Sequence, residues 1–411
     1  MTLMSNYAPA SSLGWLDFDA AASAAVAELI RALEEPATLD NLGLGAVRDA
    51  FSAQLSPGTS TLQTRLRYFI FVPWIFARLE EQRVAPGDFA RRLRDDEARL
   101  IDCLRHLGPN NGVIGFKAGR DLKYMPSWLY WLGLGSWGLR RGNLSISEYG
   151  QRAAALARQQ PERDDDHNAT APLTAMWAPL PPPPADFLHA PIDFELSAEE
   201  AQALIDSIRR NLPGTFLAAL CEAPAVAAGA PWPWDVPTDS LSGEIIALLR
   251  HARCFSELTL GPQLVYNLLL ARRAHAEFGW DTRGLAERQL GRLASWAETV
   301  ARRHEELGAW VEDRAEFWDV VGVGNRRTRE FIDTVVRLAV EDPDGFAENE
   351  AVHYCITQRE LRLKGRRARL SHRSALENWN RTESGGQLDY RWWVTKRHLA
   401  DLAAALGATA R

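Results

Sequence analysis

Residues 243–258, GEIIALLRHARCFSEL, 262–278, PQLVYNLLLARRAHAEF, and 284–310, GLAERQLGRLASWAETVARRHEELGAW, decide the fold. Each stretch spaces its apolar residues three and four apart, which gathers them on one side of a helix. Gly261-Pro262 and Gly279-Trp280-Asp281 read as turns between them, so the region predicts an antiparallel helix array. The same period recurs upstream in FDAAASAAVAELIRALEE, residues 18–35, and in FARRLRDDEARLIDCLRHL, residues 89–107. Between those two, residues 55–82 predict a turn at Pro57-Gly58, a helix start capped by Thr59 to Thr61, and a buried apolar helix kinked at Pro73. The expected fold class is mainly α.

Composition then changes. The polar run ERDDDHNATAPL and the four consecutive prolines within PLPPPPADFLHAP mark residues 159–196 as a Pro-rich linker. Ser197 and Glu200 have the spacing of a capping box and open the next helix. The expected organisation is an N-terminal helical domain over 1–158, the linker, a helical array over 197–310, and a basic, aromatic C-terminal region over 311–411. Shorter helices around a basic loop in that last region predict a small winged-helix-like unit, with a hairpin as an option.

The chain has 411 residues, 46% of them hydrophobic and 24% charged, which is an ordinary globular composition with enough apolar surface for a sizeable core. The start of the chain holds no basic stretch followed by an apolar core, and no apolar run is long enough for a membrane span. A cytoplasmic location without membrane attachment is the expectation. Cys103, Cys221, Cys254 and Cys355 lie far apart and form no CxxC pair, so neither a disulfide framework nor a zinc ribbon is indicated. His251 with Cys254 and His353 with Cys355 have ligand chemistry for zinc, but the pairs are about a hundred residues apart and read as core residues. No metal and no cofactor are expected.

The net charge of -6 excludes a protein that coats nucleic acid over its whole surface. Only four of the 47 basic residues are lysine, however, and guanidinium groups bind phosphate through paired hydrogen bonds. Arg359, Arg362, Lys364, Arg366, Arg367, Arg369 and Arg373 face a single acid, Glu360, within RELRLKGRRARLSHR, residues 359–373. This density suits a phosphate-binding surface, because neutralising a polyanion releases its condensed counterions. An acidic protein surface or plain solvent are the other readings. Arg326, Arg327 and Arg329 open a helix after the glycines of GVGNRRTRE, where an anion would relieve their conflict with the helix dipole. Around Tyr390, Trp392 and Trp393, the cations Arg391, Lys396 and Arg397 form an interleaved stripe that could stack bases or could snorkel from a core.

Signals for catalysis are sparse. Gly133, Gly135 and Gly138 spell GxGxxG, yet the interval about twenty positions on, Arg152 to Gln160, holds no acid before Glu162, so a dinucleotide site is not indicated. Neither a Walker sequence nor a nucleophile elbow is present. Asp121 and Lys123 match the end of a PD-(D/E)xK nuclease pattern, with Asp88, Asp95 or Asp96 as the upstream carboxylate for Mg²⁺.

GWLDF at 14–18, the stretch from Gly43 to Phe76 containing PGTSTLQTRLRYFIFVPWIF, DLKYMPSWLYWLGLGSWGLR at 121–140, FSELTLGPQLVYNLLLA at 255–271 and GGQLDYRWWV at 385–394 resemble an uncharacterised bacterial family of unknown function, over nearly the whole chain. The resemblance implies a setting in phage-defence gene clusters beside helicases and phospholipase-D-like proteins. The chain has no HxK motif, so phospholipase-D-like chemistry would belong to a partner. Within the second stretch, Thr59 and Ser60 at a helix start, with Arg65 and Arg67 following, form a possible anion clamp; alternatively the hydroxyls only cap and the arginines pair with Asp49 or other acids.

Together these features predict a non-catalytic nucleic-acid-binding or scaffolding component of a bacterial multi-protein system for antiviral defence, with DNA ranked ahead of RNA. The alternatives are a metal-dependent nuclease and an adaptor for an acidic protein.

Overall fold

The computed structural model describes residues 40–156, 176–322 and 324–408. GWLDF, the helix expected over 18–35 and the polar run ERDDDHNATAPL lie outside the described residues. The α-helices are α1 (Gly45–Leu55), α2 (Tyr68–Glu81), α3 (Pro86–Leu104), α4 (Pro126–Ser136), α5 (Ile146–Leu156), α6 (Ala198–Asn211), α7 (Phe216–Leu220), α8 (Pro224–Gly229), α9 (Gly243–Phe278), α10 (Arg283–Arg302), α11 (His304–Glu312), α12 (Ala315–Val321), α13 (Arg326–Glu341), α14 (Glu350–Lys364), α15 (Arg373–Glu377) and α16 (Trp392–Ala408). Among the described residues the protein is mainly α, and its only β pairing is a single bridge between Arg140 and Trp177. No described helix is long and apolar enough to cross a membrane.

Two compact units result. Residues 67–194 form one; residues 40–66 join 195–408 in the other. The expected domain over 1–158 is therefore divided, because α1 buries Phe51 among Phe255, Phe317 and Tyr390 rather than with the helices that follow it in sequence. The helix expected from Thr59 does not begin there. Thr59 donates its hydroxyl to the Ser56 carbonyl, and Gln63 bonds Ser60 and Gly58, so this stretch closes on itself as turns and α2 starts at Tyr68.

In the first unit α2 is buried on nearly all sides, and Pro73 lies inside it. Phe69 stacks on Trp137 at 3.9 Å, while Phe76 meets the edge of Tyr149. Trp74 donates to the Pro181 carbonyl, and Phe187 and Phe194 pack on Phe71, so the described residues of the expected linker from 176 to 194 belong to this unit's packing. Glu97 on α3 is fully buried and accepts the Ser127 amide at 2.6 Å, which fixes the start of α4. Burial pushes its carboxyl up to about 7, the hydrogen bonds to Ser127 opposing.

In the second unit, α9 and α10 form an antiparallel hairpin. Glu257 meets Arg303 at one end, Gly261 faces Trp296 in the middle, and Gly279 turns the chain in a left-handed conformation at the other end. Gly261-Pro262 is not a turn: α9 runs straight through it for 36 residues. Tertiary contacts override the local signal here. A Cβ at residue 261 would stand 2.5 Å from the Trp296 indole, whose N–H donates to the Glu257 carbonyl. The capping box at Ser197 and Glu200 forms as expected at α6.

The C-terminal region over 311–408 contains no strand among its described residues, so the hairpin option has no counterpart. Helix side chains take the place of a partner strand. Asn267 accepts the Ser384 amide, Gln263 accepts the Gly386 amide, and Ser256 donates to the Leu388 carbonyl, which fixes the extended segment 384–388 against α9.

Two outcomes follow from these contacts. Gly261→Ala, which ordinarily stabilises a helix interior, should instead destabilise this protein by about 1–3 kcal/mol in urea unfolding, because the methyl group meets Trp296. Glu97 is harder to ionise when folded than its ordinary value of 4.5 allows, so stability should fall as pH rises from about 4.5 to about 7 and level off above. Glu97→Gln should therefore raise the unfolding midpoint at pH 8 and leave it nearly unchanged at pH 4.5 in thermal scans.

Candidate nucleic-acid interface

The basic run begins inside α14. Asn349 caps its first amides, Arg362 and Lys364 sit in the last turn where cations complement the helix dipole, and Gly365 ends it with φ +52°. Its buried positions are Val352, Ile356, Arg359 and Glu360, so the core-facing stripe ends in two adjacent opposite charges. Arg359 donates to the Leu42 carbonyl at 2.8 Å, the Gly43 carbonyl at 3.2 Å and the Thr328 hydroxyl at 3.0 Å, and its guanidinium covers the Phe331 ring. Glu360, with no exposed surface, accepts from the Tyr266 hydroxyl at 2.6 Å, the Leu370 amide at 2.8 Å and Lys364 at 3.1 Å. Burial holds Lys364 below its ordinary value, against the pull of Glu360, and pushes the Tyr266 phenol far up.

Arg359 and Lys364 are thus committed to the fold, which corrects their reading as ligand-binding groups. Arg369 is half-buried, and its charge opposes the rise of the Tyr266 phenol. Arg362, Arg366, Arg367 and Arg373 are exposed, and none forms an ion pair among the described residues. Tyr354, 69% exposed, precedes Arg362 by eight residues and lies on the same helix ridge.

The helix start at Arg326 does not gather its arginines on one point. Asn325 caps the Thr328 amide, Arg326 pairs with Glu330 at 2.7 Å, Arg329 covers the Trp318 ring, and Arg327 is exposed. In the stripe at the C-terminus, Tyr390 and Trp392 are core residues bonded to the Ala252 and Ala230 carbonyls. Arg391 is tied to the Thr59 carbonyl and Arg397 to the Thr64 carbonyl, the latter beneath the half-exposed Trp393, while Lys396 is half-buried.

The anion clamp is closed. Thr59 is buried, Ser60 accepts the Leu62 amide, Arg65 binds Asp401 through two nitrogens, and Arg67 pairs with Asp193. Each proposed anion contact already has an internal counterpart, the acids being Asp401 and Asp193 rather than Asp49.

Asp121 and Lys123 are exposed on a single 3-10 turn and the residues after it, with Lys123 over Tyr124. Asp88 pairs with Arg91, Asp95 with Arg120, and Asp96 is buried between Arg78 and Arg99. No three His, Cys, Asp or Glu side chains among the described residues are gathered as a metal would need. His251 accepts from Trp310 at 2.9 Å, and His353 meets the Ala347 carbonyl.

A feature the sequence reading missed lies at the end of α9. Phe278 and Trp280 stack at 4.9 Å, with Arg373 over the first ring and Arg381 over the second, each 4.7 Å from the centroid. The aromatic pair flanking Gly279 was the available signal, and it reads equally as an ordinary helix end. Between α9 and α10, a groove of about 530 Å³ is lined by Leu264, Trp296, Arg288 and Arg292, the two arginines paired with Glu383.

The chain belongs to the family of unknown function DUF6361. The family model matches residues 10–406, which agrees with the near-complete coverage of the resemblance. Comparison with curated proteins and with solved structures finds no match.

The division of the cations has a direct thermodynamic consequence. Arg359→Ala leaves two carbonyls and a hydroxyl without their donor and should cost about 3 kcal/mol or more, whereas Arg366→Ala should stay within about 0.5 kcal/mol, as measured by urea unfolding.

Proposed function

We propose that the protein is a nucleic-acid-binding component without catalytic activity of its own, and that the surface formed by Arg362, Arg366, Arg367 and Arg373 contacts phosphates. The observation that carries this reading is the exposure of four guanidinium groups within twelve residues, none of them ion-paired among the described residues, in a chain of net charge -6. An acidic molecule keeps a concentrated cationic edge where a polyanion can release counterions at that edge alone. Arg327 extends the same neighbourhood, since Arg359 approaches its carbonyl at 3.5 Å.

The placement of Asp121 and Lys123, with every upstream carboxylate already paired to arginine, gives the nuclease alternative no support. The resemblance read from the sequence suggests a bacterial antiviral setting in the cytoplasm, with a helicase or phospholipase-D-like nuclease supplying the chemistry. In that arrangement this chain positions DNA or RNA for the partner.

Binding of a fluorescein-labelled DNA 20-mer, followed by anisotropy at increasing NaCl, tests the reading. The triple variant Arg362→Glu, Arg366→Glu, Arg367→Glu should flatten the slope of log affinity against log salt by about 3 and weaken binding at low salt by at least about tenfold. Unchanged binding by that variant, or co-purification of an acidic protein that survives nuclease treatment and is lost in it, would transfer the surface to a protein partner.

A further inference from the structure

The stack at the end of α9 has a geometry suited to unpaired bases. Gly279 closes the helix with φ +68°, its amide bonded to the His275 carbonyl, and this left-handed step turns Trp280 back over Phe278. His275 Nδ1 and the Thr282 amide both meet the Trp280 carbonyl, at 3.0 and 2.9 Å, and hold the backbone of the turn at Trp280. The two rings stack on each other, and Arg373 lies over Phe278 and Arg381 over Trp280. The four groups meet in the order Arg373, Phe278, Trp280, Arg381.

Both guanidinium groups are exposed, and neither is ion-paired among the described residues. Arg381 holds its position at φ +62°, a conformation that costs a residue with a Cβ roughly 1 kcal/mol or more. The Asn380 side chain accepts from the Thr382 amide and hydroxyl and supports that turn. The stack is continuous with the basic run, because Arg273, on α9 a little over one turn before Phe278, donates to the Leu370 carbonyl.

A guanidinium lying flat on an aromatic ring keeps its other face free for a base and its N–H edge free for phosphate. Bases in a duplex are already stacked on their neighbours and cannot use that face; unpaired bases can, at about 1–3 kcal/mol each. We propose that this stack is a base-stacking platform and that the ligand of the basic edge is single-stranded nucleic acid. This inference rests on the phosphate-binding reading above and adds the strand state of the ligand.

The test compares labelled dT20, rU20 and a 20-base-pair DNA duplex by anisotropy on the full chain. Arg381→Lys retains the charge and removes the planar group, so it should weaken dT20 or rU20 binding about tenfold with the duplex affinity and thermal unfolding unchanged. Trp280→Leu should have the same selectivity, and Arg381→Lys serves alone if Trp280→Leu lowers stability. The DNA and RNA arms report which sugar is preferred. Salt-dependent duplex binding that is lost on charge reversal at Arg366 and Arg367, with no single-strand preference and no effect of Arg381→Lys, would overturn the platform and leave the phosphate surface standing. Absence of salt-dependent binding to all three probes would overturn both.

Discussion

Two adjacent residues with opposite charge, Arg359 and Glu360, are buried on the core face of α14, and the second unit is organised around satisfying them. A buried charge is tolerated only when its hydrogen-bonding capacity is filled. Arg359 fills its own with the backbone at 42–43 and the hydroxyl of Thr328, which ties the segment before α1 and the start of α13 to α14. Glu360 does the same toward Tyr266 on α9 and toward the loop that follows α14. The two charged residues convert one helix into the junction of α9, α13 and the segment before α1, at positions where apolar packing would have left the loop backbone groups unpaired.

That junction also determines where the exposed arginines lie. The Leu370 amide is held by Glu360 and its carbonyl by Arg273, so the loop 365–373 is pinned at one point and presents Arg366 and Arg367 on its outer side. Cations that appear equivalent in the sequence thereby divide into two roles. Those in phase with Val352 and Ile356 hold the unit together; those out of phase are available to an anion. Arginine serves both roles because its planar fork satisfies several carbonyls at once when buried and binds phosphate when exposed.

Much of the fold was legible in the sequence because helical periodicity, the Ser197–Glu200 capping box and the Gly279 helix end are local signals that the packing leaves intact. Gly261-Pro262 misleads because the decisive contact, the Trp296 indole, comes from a residue 35 positions later. Thr59 to Thr61 mislead because their hydroxyls and the neighbouring Gln63 close a turn that competes with capping. For the interface, charge density located the region but not the exposed members. The buried character of Arg359 was readable from its phase with Val352 and Ile356. So was the commitment of Lys364, four residues after Glu360, whereas that of Arg65 and Arg67 was not, since Asp401 and Asp193 are distant in sequence.

The most direct measurement is the rate at which phenylglyoxal modifies each arginine of the free protein, resolved by peptide mass spectrometry. Arg362, Arg366 and Arg367 should react at the rate of an unstructured arginine peptide, and Arg359, although only three to eight residues away, should stay protected until the chain unfolds. Equal reactivity of Arg359 and Arg366 would contradict the separation of structural from exposed cations on which the whole account stands.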